Sequence, residues 1–482
     1  MDPPDLSLAN RLFHQPPEEE AFLSPDTRSV SENSHAADPR FLELQEELRS
    51  ALFTAVANST PKQYLLESIS EPEATSSRRN VDPFAGSPVP KSRLIFYLKN
   101  WITECAPYLD KFDEERHFGV HIPILAEDSS ALFYALLAFS ARQTERKAGL
   151  RNCHDSLELY QESIRLIRPG LQAKDPNVLV TVCILAVMEL MSVSTQDWRR
   201  HVEGCAALFD CFNVNGFSGG HLQAVFWCYV RMELCGVIVS NGADRTVLPL
   251  EKWVPAAPTG HGSESLEENE KRVRNLFMEK SILSPDMHAN WAVYLCAKTC
   301  DLVCRRTREL ELGELDTSDS RPFSEQWNRL WDELQFWLAQ RPSELLPVKV
   351  VSMRGDQMFP EILFAHQAAI SGNQLYHTAC ILLLEIKPAI ILLSTSDHLS
   401  SSIWHARRVC GISLTNPHRG NLINAIQPLY IAGKLLSHRR EQIAVARLFK
   451  IIEETTGWGA LWRLRDLEAA WGYETNEILS AL

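Results

Sequence analysis

Along most of this chain apolar residues return every third or fourth position, and no stretch sustains an alternation of apolar and polar residues. The first spacing stacks side chains on one face of an α-helix, whereas the second would line one face of a strand. The pattern therefore predicts an all-α protein with almost no sheet. It first appears at 41–57, where Phe41, Leu44, Leu48, Leu52 and Val56 mark one short amphipathic helix. Residues 1–40, rich in Pro, Ser, Glu and Asp, lose the period and are expected to be disordered, and 58–90, with several Pro, are expected to be flexible. The expected organisation is a largely disordered region over 1–91 with one short helix, then a single helical body over 92–482.

Within the body, Ala131, Leu132, Ala135, Leu136 and Phe139 define a strongly apolar helix over 130–148. It should stop at Lys147 and Gly149, a cation and a glycine where a helix C-terminus favours them. Leu157, Tyr160, Ile164 and Ile167 make one stripe over 154–168. Asp175-Pro176 reads as an N-cap with proline at the first helical position, opening a helix that runs to about Met191. Further helices are expected at 197–212 and 220–240. Residues 241–284 contain Gly242, Pro249, Pro255, Pro258, Gly260 and Gly262 and read as a loop or insertion with a short helix near 269–280. Helical spacing resumes at 285–310 and at 322–340, where Trp327, Trp331, Leu334 and Leu338 form a core stripe that Pro342 ends. The remaining helices are expected at 359–387, 399–414, 422–438, 440–456 and 459–475. No internal repeat stands out. The architecture is an irregular multi-helix bundle or array of roughly twelve to fifteen helices.

Composition narrows the function classes. The 482 residues are 45% hydrophobic and 23% charged, with a formal net charge of −13. The chain as a whole is therefore not a basic nucleic-acid-binding module, which draws its affinity from phosphate neutralisation. Asp2, Asp5 and Glu18 to Glu20 leave no room for a secretory leader in the first twenty residues. The apolar runs Leu179–Met191 and Thr378–Leu393 are too short, or too broken by Glu385, Lys387 and Pro388, to span a bilayer core of ~30 Å. A soluble, intracellular protein with no membrane contact is expected, its 12 cysteines free thiols. Cys296, Cys300 and Cys304 share one helical face but would spread along ~12 Å of it, too far to meet at one metal. They are expected to be small buried residues.

No catalytic constellation is found. G-x-S-x-G, G-x-G-x-x-G, the Walker loop and H-E-x-x-H are all missing. Ser59-Thr60-Pro61-Lys62 matches S-x-x-K only as a short pattern. His117 and His121 have a helical metal-ligand spacing without a third ligand. Asp110, Asp113, Glu114 and Glu115, beside Lys111 and Arg116, are expected to form a solvated helix end or loop. His201 reads as a hydrogen-bonded core histidine. The pairs Arg78-Arg79, Arg199-Arg200, Arg305-Arg306, Arg407-Arg408 and Arg439-Arg440 are expected on solvated faces or in ion pairs. The chain is expected not to be an enzyme, with no catalytic, cofactor-binding, metal or DNA-binding residue identified.

One set of motifs carries more. Trp198-Arg199-Arg200-His201-Val202-Glu203-Gly204 reads W-x-x-H-x-x-G and is followed by Ala224-Val225-Phe226-Trp227-Cys228-Tyr229-Val230-Arg231. Leu136 to Gln143 precede it. Phe359-Pro360-Glu361-Ile362, Gln374-Leu375-Tyr376-His377, Gln427-Pro428-Leu429-Tyr430 and Thr456-Gly457-Trp458 follow in order. Together these pieces resemble the fungal-specific transcription factor domain, the regulatory (middle homology) domain found C-terminal to Zn(II)2Cys6 clusters. The resemblance covers about Ser92 to Leu482 and makes Trp198, His201, Gly204, Phe226, Trp227 and Arg231 a structural family motif. It implies a nuclear regulator of transcription, typically of a specialised (secondary) metabolism gene set. The family's zinc cluster does not carry over: the first cysteine is Cys105 and C-x-x-C occurs nowhere. Regulation is therefore expected through a protein partner, either a DNA-binding regulator or a second copy, or through a cluster lying upstream of Met1. A small-molecule effector is a further implied partner. The alternative is a small-molecule-binding or scaffold protein that no longer regulates transcription.

Overall fold

The structure, a computed structural model, describes residues 39–57, 86–149, 154–173, 175–191, 198–240, 242–257, 265–314, 318–353, 355, 357–394, 398–416 and 418–482, with the side chains of 198–201 left out. The expectations for 1–38 and 58–85, including Ser59 to Lys62 and Arg78-Arg79, lie outside these residues.

The helices fall where the apolar period places them. α1 spans Pro39–Ala57 and α2 Lys91–Asn100. After a wide turn over Trp101–Cys105 come the one-turn helix α3 (Ala106–Leu109), tight turns over Asp110–Phe112 and His117–His121, and the short α4 (Ile122–Leu125). α5 (Ser130–Lys147), α6 (His154–Ala173), α7 (Asn177–Leu190), α8 (Trp198–Cys211) and α9 (Gly220–Val239) follow. α6 extends past the expected 154–168, running through Pro169 to Ala173. Asp175 caps the start of α7 by accepting from the Asn177 N–H at 2.9 Å.

α7 is apolar on every side and buried from Val178 to Glu189, the mark of a central helix. α9 is also long and apolar enough to cross a membrane by length and composition, but 72% of that stretch is buried inside the fold. α9 touches α7 and α8 on one side and α11 and α15 on the other, so it joins the two halves of the body. α1 lays Phe41, Leu44, Leu48 and Leu52 into the same core, against α6 and α8.

Beyond the 242–257 loop, α10 (Leu266–Leu283) is longer than the short helix expected there. Its start is fixed by a reciprocal capping box between Ser265 and Glu268. α11 (Pro285–Leu312) and α12 (Phe323–Ala339) follow. Trp327 and Trp331 of α12 stack 5.4 Å apart inside the core. Cys296, Cys300 and Cys304 are buried on α11.

The helix expected over 359–387 is corrected. Its first residues form strand β2 (Glu361–Leu363), paired antiparallel with β1 (Lys349–Val351) with Val350 opposite Ile362. Only from Gln367 does α13 (Gln367–Glu385) begin. Pro360 denies the backbone a helical donor, and the side chain of Asn416 supplies strand-like partners instead. Its Nδ2 donates to Ile362 O at 2.7 Å and its Oδ1 accepts from the Phe364 N–H at 2.9 Å. α14 (Ser402–Thr415), α15 (Arg419–Lys434), α16 (Arg439–Thr456), α17 (Leu461–Trp471) and the one-turn α18 (Glu477–Ser480) complete the array. Gly457 ends α16 at a positive φ of 71°, a conformation only glycine adopts without strain.

Candidate ligand cavity

α9, α15 and α17 diverge beside the turn at 108–111 and enclose a cavity of about 720 Å³. α9 contributes Cys228, Arg231, Glu233 and Cys235, α15 contributes Asn424, Gln427 and Tyr430, and α17 contributes Trp462, Arg463 and Asp466. Tyr108 and Lys111 come from the turn, and Asp244 and Arg245 from the loop after α9. Ala243, Asp466 and Ala469 are exposed and lie at the mouth, whereas Lys111, Arg231 and Arg463 are buried.

The inner wall is cationic. The Lys111 ammonium donates to Tyr108 O at 3.1 Å. The Arg231 guanidinium donates to Leu109 O at 2.9 Å and lies 4.8 Å from the Phe112 ring centre. Arg463 donates to Gln427 Oε1 and to Asp466 Oδ2, each at 2.9 Å, with its guanidinium 3.6 Å from the centre of the Tyr430 ring. Among the described residues no carboxylate lies within 4 Å of the Lys111 ammonium or the Arg231 guanidinium. Burial, reinforced by Arg231, pushes the Lys111 ammonium down to about 7. Burial also holds Arg231 and Arg463 below their ordinary values.

Two cysteines feel these charges. A hydrogen bond from Cys183 holds the Cys228 thiol below its ordinary value against the effect of burial, with Arg231 and Lys111 adding to it. Burial raises Cys235 to about 11, while Lys111, Arg231 and Arg463 all pull it down. All three cations therefore act on one point of α9. Glu233, the buried carboxylate of the wall, accepts from the Leu248 N–H at 2.9 Å.

Several sequence expectations meet this region. The stretch 110–116, expected to be a solvated helix end, is corrected at Asp110 and Lys111. The turn folds inward and buries both, and Asp110 Oδ1 accepts from the Phe118 N–H at 2.8 Å. Burial raises the Asp110 carboxyl to about 7. Burial works against protonation of His117, but its Nδ1, 2.9 Å from Asp113 Oδ1, lets that carboxylate raise it overall. His121 lies beside it with ring centres 4.8 Å apart. Among the described residues no group of three or more His, Cys, Asp or Glu is arranged to hold a metal ion.

The family motif spreads over the core and one cavity wall. Gly204 lies against Leu52 of α1, where a Cβ would come within 2.9 Å of Leu52 Cδ1. Phe226 is fully buried, and the Trp227 indole donates to Gly216 O at 2.8 Å. Arg231 lines the cavity. The Trp198 and His201 side chains, with the expectation for His201, lie outside the described residues, as do those of Arg199 and Arg200. Of the other arginine pairs, Arg305, Arg306 and Arg407 form ion pairs with Asp301, Glu309 and Glu441. Arg408 lies over the Trp404 ring at 4.7 Å. Sequence reasoning passed over Arg463 and read Lys111 only as part of a solvated cluster. No local pattern marks Arg463, because Arg465 and Asp466 stand in the same turn of the helix.

In the comparison with known families, residues 96–219, from α2 to the start of α9, match the fungal specific transcription factor domain. A relative described as transcription activator AMTR1 from Alternaria alternata is 22% identical over 489 residues, which covers 78% of this chain and 63% of the relative. The chain thus spans less than two thirds of the length of the curated relative it matches. No solved structure matches.

Proposed function

We propose that the protein regulates transcription through this helical body, in the nucleus, and that its targets form a specialised-metabolism gene set. The observation that carries the reading is the fungal specific transcription factor domain at 96–219, alongside a relative described as a transcription activator. Both speak for a regulator rather than an enzyme. The given sequence has no C-x-x-C, and its net charge of −13 does not favour phosphate binding. In this reading the DNA contact comes from a protein partner, either a DNA-binding regulator or a second copy, or from a zinc cluster upstream of Met1.

The test is deletion of the gene followed by transcript profiling. Coordinated loss of a set of neighbouring transcripts is the expected result. Unchanged transcripts with altered metabolites would overturn it and favour a ligand-binding protein that has left transcription, a reading the cavity alone supports.

A further inference from the structure

We propose that the cavity between α9, α15 and α17 is the binding site of an organic acid with a flat apolar body, its carboxylate seated among Lys111, Arg231 and Arg463. The proposal goes beyond the transcriptional reading and does not depend on it.

The charges point to an anion. A buried ammonium or guanidinium is costly unless it is neutralised and hydrogen-bonded. The polar contacts of Lys111 and Arg231 are mainly backbone carbonyls of the adjoining turn, Tyr108 O and Leu109 O. Of the carboxylates on the wall, Glu233 accepts from the Leu248 N–H, and Asp466 pairs with Arg463 at the mouth, so Lys111 and Arg231 are the two cations left to be answered. A carboxylate is the counter-charge that would answer both cations.

The orphan hydrogen-bonding groups point the same way. Arg463 Nη2 and Asn424 Nδ2 are buried and have no partner among the described residues. Their side chains are 2% and 5% exposed. Both atoms only donate. Two orphan donors on one cavity wall ask for an acceptor-rich group, and a cationic or purely apolar ligand would leave them unsatisfied.

Size and lining describe the rest of the ligand. A cavity of about 720 Å³ suits a small organic molecule rather than a bare ion. Val187, Met232, Ile423, Tyr430 and Trp462 supply apolar and aromatic walls against which a flat body would lie.

The probe is 1-naphthoate, titrated calorimetrically into the purified full chain, beside the neutral 1-naphthalenemethanol and the cationic 1-naphthylmethylamine. Saturable naphthoate binding at least tenfold tighter than either control is expected. Lys111→Met should weaken it tenfold or more without lowering the melting temperature of the unliganded protein. Arg463→Gln, which keeps a polar group beside Gln427, serves as the second variant should Lys111→Met fail to fold. Equal affinity for naphthoate and the alcohol, no naphthoate binding at millimolar concentration, or undiminished binding by a folded variant would each overturn the proposal.

Discussion

Burial acts with opposite sign on the neighbours Asp110 and Lys111. Asp110 rises from the ordinary 3.8 to about 7, so between those values the native state keeps a proton that the unfolded chain has released. Stability then falls as pH rises through that window. Lys111 drops from 10.5 to about 7, so between those values the unfolded chain holds the extra proton and stability rises with pH. Together the two place a minimum in their joint contribution near neutrality. Asp110→Asn should flatten the acid side of the stability profile, and Lys111→Met the alkaline side, in urea midpoints taken at pH 5, 7 and 9. Unchanged slopes in both variants would refute this. Neither shift was legible in the sequence, where D-K-F-D-E-E-R looks like a solvated turn. Burial of its first two residues is decided by α9, α11, α13 and α15 packing around the turn, contacts far away in the chain.

At the scale of elements the sequence was most informative where a helix packs by one stripe. α5, α6, α8, α12 and α16 were placed within a few residues because core contact and the 3.6-residue period coincide there. The β1–β2 pair escaped because three residues are too few for alternation to register, and its partners come from the end of α14. That join tolerates little change. A Cβ on Gly411 would sit 2.2 Å from Pro360 O, so Gly411→Ala must push the β2 strand off α14. A loss of roughly 1–3 kcal/mol in chemical unfolding is expected, as for other overpacked sites; a neutral result would mean the strand yields freely. α1 gives a second test. Leu52 is 3% exposed and rests on Gly204. Leu52→Ala should cost about 2–5 kcal/mol of α1 docking and speed hydrogen exchange in α1 ahead of the rest of the body. Uniform loss of protection would instead make α1 part of one cooperative unit with α6 and α8.

For the molecule as a whole, an acidic exterior surrounds a cationic interior cavity, and composition reports only the former. The cavity was illegible because its walls come from at least five separated stretches of chain, and no local motif marks such a meeting. That dispersal predicts a global response. Naphthoate at about a hundred times its dissociation constant should stabilise the chain by ~2.7 kcal/mol. Hydrogen exchange should slow at both 106–112 and 461–471. Protection confined to either segment would show that the two do not close on one ligand.

The position of Arg463 also has a consequence for biosynthesis. The turn bearing Lys111 leaves the ribosome early and α17 among the last elements, at roughly 5–20 residues per second. The cavity therefore does not exist while the domain matched at 96–219 is first able to fold. Until α17 emerges, Lys111 and Arg231 stand without the third cation of the wall, and a chain truncated before Leu461 would lack the seat that the three complete.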